Sequence, residues 1–271
     1  MRPDKVAFHL ADVISNATGA PVVFVCDESR GRSDTRSYAK VSMTRERFRM
    51  LGFEHLADNW GWFWGDMCYY AAAAEYPDYD AYCLLESDVY MSAAGAERFI
   101  TRLEAAEFDV LAPRLERQVK PRRYSKPLKK LGLDPRWQCL FPITRMSASA
   151  VGAAYDLRMH MCEHFPDLQL NDEGVLVGAV QRNGLSFSPL ELLVPDQLIR
   201  VIFATSPPYL FESLTAIEGD DLLYHPVYTM EKLLHRIEIE GAEVMRKRLS
   251  NLWPMATPQM RDQIVAALAK A

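Results

Sequence analysis

The segment CLLESDVYM, residues 83–91, decides which fold the sequence predicts. Leu84 and Leu85 are typical of a buried strand, whereas Glu86 and Asp88 place two carboxylates at its end. Because side chains alternate along an extended chain, these carboxylates point to the same side, about 7 Å apart. Such a pair on a rigid element suits a hard divalent cation. Acidic residues are also common where strands emerge into water, so the segment alone leaves both interpretations open.

The flanking sequence alternates between strand and helix patterns. Upstream, a β-branched run ends at Asp27, and apolar residues recur with a helical period from Trp60 to Ala74. Downstream, residues 94–106 predict a helix and residues 108–113 a strand. This order predicts βαβ units and an α/β fold, with a Rossmann-like mixed, mostly parallel sheet flanked by helices.

The remaining segments complete this pattern at both ends of the chain. KVAFHL (5–10) predicts a short strand before a helix over 11–18. An amphipathic helix is predicted from Met230 to Leu252, with a shorter helix after Pro258. We therefore predict a sheet-containing domain over 1–228 and a C-terminal helical extension over 229–271. The amphipathic helix is expected to pack on the domain or on the partner of a homodimer.

Composition excludes several classes of protein. The chain has 271 residues and a formal net charge of −5, so no bulk affinity for nucleic acid is implied. No apolar run approaches the ~20 residues of a transmembrane helix, and no secretory signal is recognised. The five cysteines are scattered without a C-x-x-C, which favours free thiols and a cytoplasmic location. Neither G-x-x-x-x-G-K-[ST] nor G-x-G-x-x-G occurs, which argues against P-loop NTPases and dinucleotide dehydrogenases.

Residues 114–136 interrupt the pattern with a basic segment. Nine Lys or Arg residues stand against Glu116 and Asp134. We predict a mobile loop, which is either simply solvated or meets an anionic acceptor or the inner face of the membrane as a peripheral contact. The cations proposed for that contact are Arg122, Arg123, Lys126, Lys129 and Lys130.

The run PDYDAYCLLESDVYM (77–91), preceded by Trp64-Gly65-Asp66, resembles the GT-A glycosyltransferases. Members of that superfamily carry a D-x-D motif at a strand end, where it holds a divalent metal on the diphosphate of a nucleotide sugar. Here Glu86 occupies the first position of the motif, where the superfamily pattern has Asp. The resemblance therefore favours Asp88 over Glu86 as the metal contact, and Glu86 would bind metal or ribose. The resemblance implies a GT-A-like fold and covers about residues 5–228.

Further motifs follow in the order of that superfamily. NDEG (171–174) resembles the acidic motif at the start of a helix below the acceptor, so Asp172 or Glu173 would act as the base in an inverting enzyme. In a retaining enzyme the pair would orient hydroxyls instead. LLYHPV (222–227) resembles the late metal-binding histidine, here His225. An imidazole with two carboxylates suits Mn²⁺, with Mg²⁺ as the other candidate.

The substrate contacts implied by the resemblance are less specific. Asp27 matches a nucleoside contact, and Asp66 would either contact ligand or cap a helix or pair with an arginine. Trp137 and Arg145 would help to form the acceptor pocket. UDP- or GDP-sugars are the expected donors, and a glycan or lipid-linked hydroxyl is the expected acceptor, as in polysaccharide biosynthesis.

Two other functions remain open at this point. A nucleotidyltransferase on a similar sheet would show a Gly-rich loop with a basic residue after the first strand, and HLADVISNATG has no such loop. A non-catalytic relative that binds a sugar nucleotide or a partner would keep the fold without turnover.

Overall fold

The computed structural model describes residues 3–19, 21–54, 60–217, 219–249 and 252–271. The strands are β1 (Val23–Asp27), β2 (Ala39–Met43), β3 (Ala81–Leu85), β4 (Val110–Ala112), β5 (Glu116–Arg117), β6 (Trp137–Gln138), β7 (Ile143–Ser147), β8 (Phe187–Pro189), β9 (Tyr209–Leu210) and β10 (Val227–Tyr228). The helices are α1 (Lys5–Thr18), α2 (Arg45–Met50), α3 (Trp60–Phe63), α4 (Met67–Glu75), α5 (Ala93–Glu104), α6 (Ala148–His164), α7 (Asp172–Asn183), α8 (Leu190–Leu193), α9 (Phe211–Leu214), α10 (Met230–Glu240), α11 (Ala242–Arg248), α12 (Leu252–Met255) and α13 (Pro258–Lys270).

The chain forms two compact units. The first comprises the described residues of 21–85 and 105–193. The second comprises the described residues of 3–20, 86–104 and 194–271. The chain therefore passes from one unit to the other directly after β3, within the segment CLLESDVYM. The boundary that the sequence predicts between 228 and 229 stays a prediction.

The first unit contains a four-stranded sheet in the order β3-β7-β4-β8. β7 is antiparallel to both of its neighbours, and β4 runs parallel to β8. β1 and β2 form a separate parallel pair. Buried residues of α4, α6 and α7 share one core with β4 and β7. The predicted α/β class with a mixed sheet, helices and a C-terminal helical region is confirmed, but two of the three pairings in this four-stranded sheet are antiparallel, so its pairing is not mostly parallel as predicted.

The N-terminal strand predicted over 5–10 is wrong. These residues form the first half of α1, because the Asp4 side chain accepts hydrogen bonds from the N–H groups of Val6 and Ala7 and caps the helix. Val6 and Leu10 are buried together with Ile14. This spacing is that of one helix face rather than the alternation of a strand.

The helix predicted over 60–74 is interrupted at Trp64–Asp66 and forms α3 and α4. The cause is a side chain from far along the sequence. The N–H of Gly65 donates to Oδ2 of Asp172 at 3.2 Å. A Cβ atom at Gly65 would lie 2.5 Å from that oxygen, so only glycine allows this approach.

The C-terminal region of the second unit is helical, as expected, but it is not one helix from 230 to 252. Gly241, with φ of 83°, ends α10 before α11 begins. Ser250 and Asn251 lie outside the described residues. The helix expected after Pro258 is present as α13, and its 13 residues are fewer than the span of 230–252 predicted for the preceding helix. Among the described residues, no helix is long and apolar enough to cross a bilayer.

A buried ion pair links α4 to α6 in the first unit. The side chains of Arg158 and Asp66 are 2% and 3% exposed. Arg158 donates from Nε and Nη2 to the two oxygens of Asp66, at 2.9 and 2.6 Å. Tyr70 donates to the same carboxylate, and the carbonyl of Leu170 accepts from Arg158 Nη1. The guanidinium also lies over the ring of Trp64. Every partner needed to compensate two buried charges is present.

Replacing Asp66 by Ala should destabilise the protein strongly, because it leaves the Arg158 charge buried without its carboxylate. Loss of one partner of a buried pair costs about 3–5 kcal/mol. Urea unfolding measures the free energy of unfolding. The matched control is Glu75→Ala, which breaks the more exposed ion pair with Arg47 and should cost about 1 kcal/mol or less. Equal, small losses for both variants would contradict this account.

Candidate metal centre

The second unit brings together three of the side chains that the sequence singles out. One ligand atom each from Glu86, Asp88 and His225 lies within 4.8 Å of the others. Nε2 of His225 is 3.5 Å from Oδ1 of Asp88 and 3.7 Å from Oε2 of Glu86. The two carboxylates therefore face the same ring nitrogen, although more than a hundred residues separate them from it in the sequence.

Backbone hydrogen bonds between two segments create this cluster. Tyr90 and Tyr224 exchange both of their N–H to carbonyl bonds, each 3.0 Å long, in an antiparallel bridge. The N–H of Val227 donates to the carbonyl of Asp88 at 2.8 Å. These bonds hold residues 88–90 beside residues 224–227. The position of His225 next to Asp88 is thus a consequence of strand-like pairing rather than of side-chain attraction.

A hydrogen bond from Nδ1 to a backbone carbonyl fixes the orientation of the His225 ring. The ring is 6% exposed, and its Nδ1 lies 2.6 Å from the carbonyl oxygen of Ala204. A carbonyl can only accept, so Nδ1 carries a hydrogen and donates it. Nε2 is thereby directed at the carboxylates. A backbone carbonyl in this position is the usual support of a metal-binding histidine.

The charges of the cluster depend on one another. Burial lowers the pKa of His225, but Asp88 and Glu86 outweigh this and raise its pKa to about 9. Burial raises the pKa of Asp88, but the neighbouring His225 and Lys232 outweigh it, so that its pKa is lowered. Without a metal, a proton on Nε2 therefore compensates the carboxylates at neutral pH.

The cluster fits a divalent cation. A six-coordinate ion with ligands at about 2.1 Å needs neighbouring ligand atoms about 3 Å apart and opposite ones about 4.2 Å apart. The measured separations of 3.5 and 3.7 Å require only a small contraction. The Glu86 side chain is 41% exposed, which gives the site an open side for further ligands. Two carboxylates with an imidazole suit Mn²⁺, and Mg²⁺ would accept the same oxygens.

Lys232 is a residue of this site that the sequence interpretation did not identify. Its Nζ lies 3.8 Å from Oδ2 of Asp88 and 4.6 Å from the centre of the Tyr228 ring. The Nζ atom is buried and has no hydrogen-bond partner among the described residues. Lys232 lies seven residues after His225, in the first turn of α10. A cation on the predicted amphipathic helix so soon after the histidine was the available signal.

The acidic pair at the start of α7 lies in the first unit, and its members have different surroundings. Asp172 is 6% exposed, and both of its oxygens accept backbone N–H groups, from Gly65 at 3.2 Å and from Glu173 at 2.7 Å. Glu173 is partly buried and accepts from Nδ2 of Asn171 at 3.3 Å. Asn171 also caps α7. Asp172 thus accepts hydrogen bonds from two backbone N–H groups, one of them from the Trp64–Asp66 turn.

The remaining predicted ligand contacts also lie in the first unit. Asp27 ends β1 and accepts from both the N–H and the hydroxyl of Ser29. Arg145, on β7, donates to the carbonyl of Phe108 at 2.8 Å. Trp137, on β6, packs edge-on against Phe187. Asp66 forms the buried ion pair described above, which is one of the two roles expected for it. The ligand contacts of these residues stay predictions.

Comparisons with known proteins give a weak structural likeness. The sequence matches no protein-family model and no curated protein. Among solved structures, a crystal structure of the galactosyltransferase LgtC, in complex with donor and acceptor sugar analogues, aligns with 97% of this chain and 98% of its own. The identity is 14% and the TM-score 0.43. A similarity of this size assigns neither an activity nor a ligand to the present chain.

Mn²⁺ should bind with one ion per chain, and its affinity should rise with pH. Because the pKa of His225 is raised to about 9, each ion that binds near neutral pH must displace the proton on Nε2. The affinity should increase about tenfold per pH unit from pH 6 to 8, with about one proton released per ion. Titration calorimetry in buffers of different ionisation enthalpy measures both quantities.

Asp88→Asn and His225→Gln should each weaken Mn²⁺ binding by about 100-fold or more, since even supporting residues of metal sites are worth 10–100-fold. The control is His164→Gln, which removes an exposed imidazole whose Nδ1 contacts the carbonyl of His160. Thermal unfolding would show whether each variant is folded. Unchanged affinity in folded Asp88→Asn would exclude this cluster as the binding site.

Proposed function

We propose that the chain is a metal-dependent glycosyltransferase, which transfers a sugar from a nucleotide-diphosphate sugar to a hydroxyl group of a glycan or lipid-linked acceptor. The observation that supports it most is the cluster of Glu86, Asp88 and His225. The carboxylates follow a strand directly, and the imidazole is held by Ala204 with Nε2 facing them. This is the donor set that the motif order of the sequence predicts for a diphosphate-binding metal.

In this proposal Asp88 and His225 hold Mn²⁺ or Mg²⁺, and Glu86 either completes the set or contacts the ribose. A bound divalent cation would neutralise the charge of the departing nucleoside diphosphate. Lys232 adds a positive charge on the far side of Asp88, where it limits the negative potential of the two carboxylates. Because its Nζ is buried and has no hydrogen-bond partner in the part of the chain that the structure describes, it is also suited to a phosphate oxygen of the donor.

The two carboxylates of the NDEG motif receive different roles. Both oxygens of Asp172 accept backbone N–H groups, from Gly65 and from Glu173, so this carboxylate joins the turn to the start of α7. We therefore assign the positioning of the Trp64–Asp66 turn and of α7 to Asp172. Glu173 becomes the candidate base of an inverting enzyme. In a retaining enzyme Glu173 would orient an acceptor or sugar hydroxyl.

The proposed substrate contacts follow the resemblance. Asp27 would contact the nucleoside, and Trp137 and Arg145 would contribute to the acceptor pocket. The carboxylate of Asp66 is buried and paired with Arg158, so we regard its main role as structural rather than donor-binding. UDP- and GDP-sugars are the donors that we would test first.

A panel of UDP-, GDP-, CMP- and dTDP-sugars, each with and without Mn²⁺, should identify a donor that raises the melting temperature only when the metal is present. A ligand at 100 times its dissociation constant stabilises a protein by about 2.7 kcal/mol. With that donor, release of the nucleotide measures turnover. Glu173→Gln should lower kcat by about 100-fold or more and leave donor binding unchanged, if Glu173 is the base.

The controls separate the alternatives. Asp172→Asn should lower the melting temperature, whereas Glu173→Gln should not. Release of pyrophosphate from a nucleoside triphosphate and a sugar phosphate would indicate a nucleotidyltransferase instead. Metal-dependent donor binding without turnover would indicate a non-catalytic binding protein. A panel in which no donor shifts the melting temperature would contradict the proposal.

A further inference from the structure

Six exposed cations lie close together in the sequence of the first unit and are called the basic surface here: Lys120, Arg122, Arg123, Lys126, Lys129 and Lys130. The sequence contains no acidic residue from Arg117 to Leu133. Among the described residues, none of the six cations lies within 4.0 Å of a carboxylate, whereas Arg117 and Arg136 both pair with Asp134. The basic surface is thus an uncompensated concentration of positive charge on a protein of net charge −5.

Buried packing, side-chain hydrogen bonds and strand pairing anchor the segment that carries the basic surface. The 3-10 helix Lys126–Leu131 buries Leu128 completely in the core of the first unit. The hydroxyl of Ser125 donates to the carbonyl oxygens of Pro135 and Arg122, at 2.6 and 3.2 Å. β5 and β6 pair at the two ends of the segment. The cations are therefore displayed on an anchored element. The mobility predicted for 114–136 stays a prediction.

Apolar side chains lie beside the cations. Trp62 is 63% exposed and Val119 is 89% exposed. The indole of Trp62 contacts the ring of Tyr124 edge-on, with ring centres 5.6 Å apart. The guanidinium of Arg123 lies 5.7 Å from the centre of the same Tyr124 ring. An exposed tryptophan next to clustered Lys and Arg combines the two features that place a surface at the interface of a bilayer.

We propose that the basic surface, together with Trp62, docks the protein on a bilayer that contains anionic phospholipids. The cations would approach the headgroup phosphates, and the indole would enter the interfacial layer. A soluble polyanion would use the cations equally well, but it would not require the exposed indole. The proposal is independent of the glycosyltransferase assignment, because it uses none of the proposed catalytic residues.

Vesicle sedimentation with the full chain tests the proposal. We expect binding to vesicles of 70% phosphatidylcholine and 30% phosphatidylglycerol at 0.1 M salt, and little binding to phosphatidylcholine alone. Each basic residue near an anionic surface changes the partition coefficient about fivefold, so Arg122→Gln with Arg123→Gln should weaken binding about 25-fold. Trp62→Ala should weaken binding severalfold without changing its salt dependence.

The matched control is Arg45→Gln with Arg49→Gln, which removes two exposed arginines on α2 and should leave binding unchanged. Equal loss in both double variants would overturn the proposal, since it would show only an effect of net charge. Equal binding to both kinds of vesicle would overturn it as well. Retention on heparin without binding to anionic vesicles would assign the basic surface to a soluble polyanion.

Discussion

The hydrogen bonds between residues 88–90 and residues 224–227 are the constraint on which the candidate metal centre depends. They pair Tyr90 with Tyr224 and join Val227 to the carbonyl of Asp88. Without them, His225 would have no reason to lie beside two carboxylates that follow β3. Backbone pairing of this kind places the residues of the cluster side by side, and the carbonyl of Ala204 fixes the ring of His225. The cluster is therefore arranged before any ion binds, and the proton on His225 compensates the carboxylates in the absence of metal.

The sequence identified three residues of this candidate centre, but it did not predict the contact of Asp88 with Lys232. Glu86 and Asp88 were recognisable because two carboxylates interrupt a strand-like run, and His225 followed from motif order. Lys232 was missed, because its proximity to Asp88 arises only when α10 follows β10. The unequal roles within each acidic pair were partly accessible. Asp88 lies near both His225 and Lys232, whereas Glu86 is more exposed, and the roles of the two carboxylates at a metal stay predictions.

Some features of the fold could be predicted from neighbouring residues, whereas others depend on contacts between residues that are far apart in the sequence. Two local signals favoured α1: the helical spacing of Val6 and Leu10, and Asp4 as a capping residue before them. The short apolar run over 5–10 led instead to the prediction of a strand. The break between α3 and α4 had no local signal, since it depends on Gly65 donating to Asp172 from a distant part of the chain. Likewise, Asp66 was expected to pair with an arginine, but no pattern in the sequence identified Arg158 as that arginine. Periodicity predicts elements, whereas interactions between distant residues decide where they end and which polar groups they bury.

The central claim is that Glu86, Asp88 and His225 bind one divalent cation. Crystals grown with Mn²⁺ and measured at the manganese absorption edge test it most directly. The account predicts one strong anomalous peak per chain, in contact with Nε2 of His225 and a carboxylate oxygen of Asp88. A fully occupied peak elsewhere, with Nε2 of His225 still facing the metal-free carboxylate of Asp88, would contradict it.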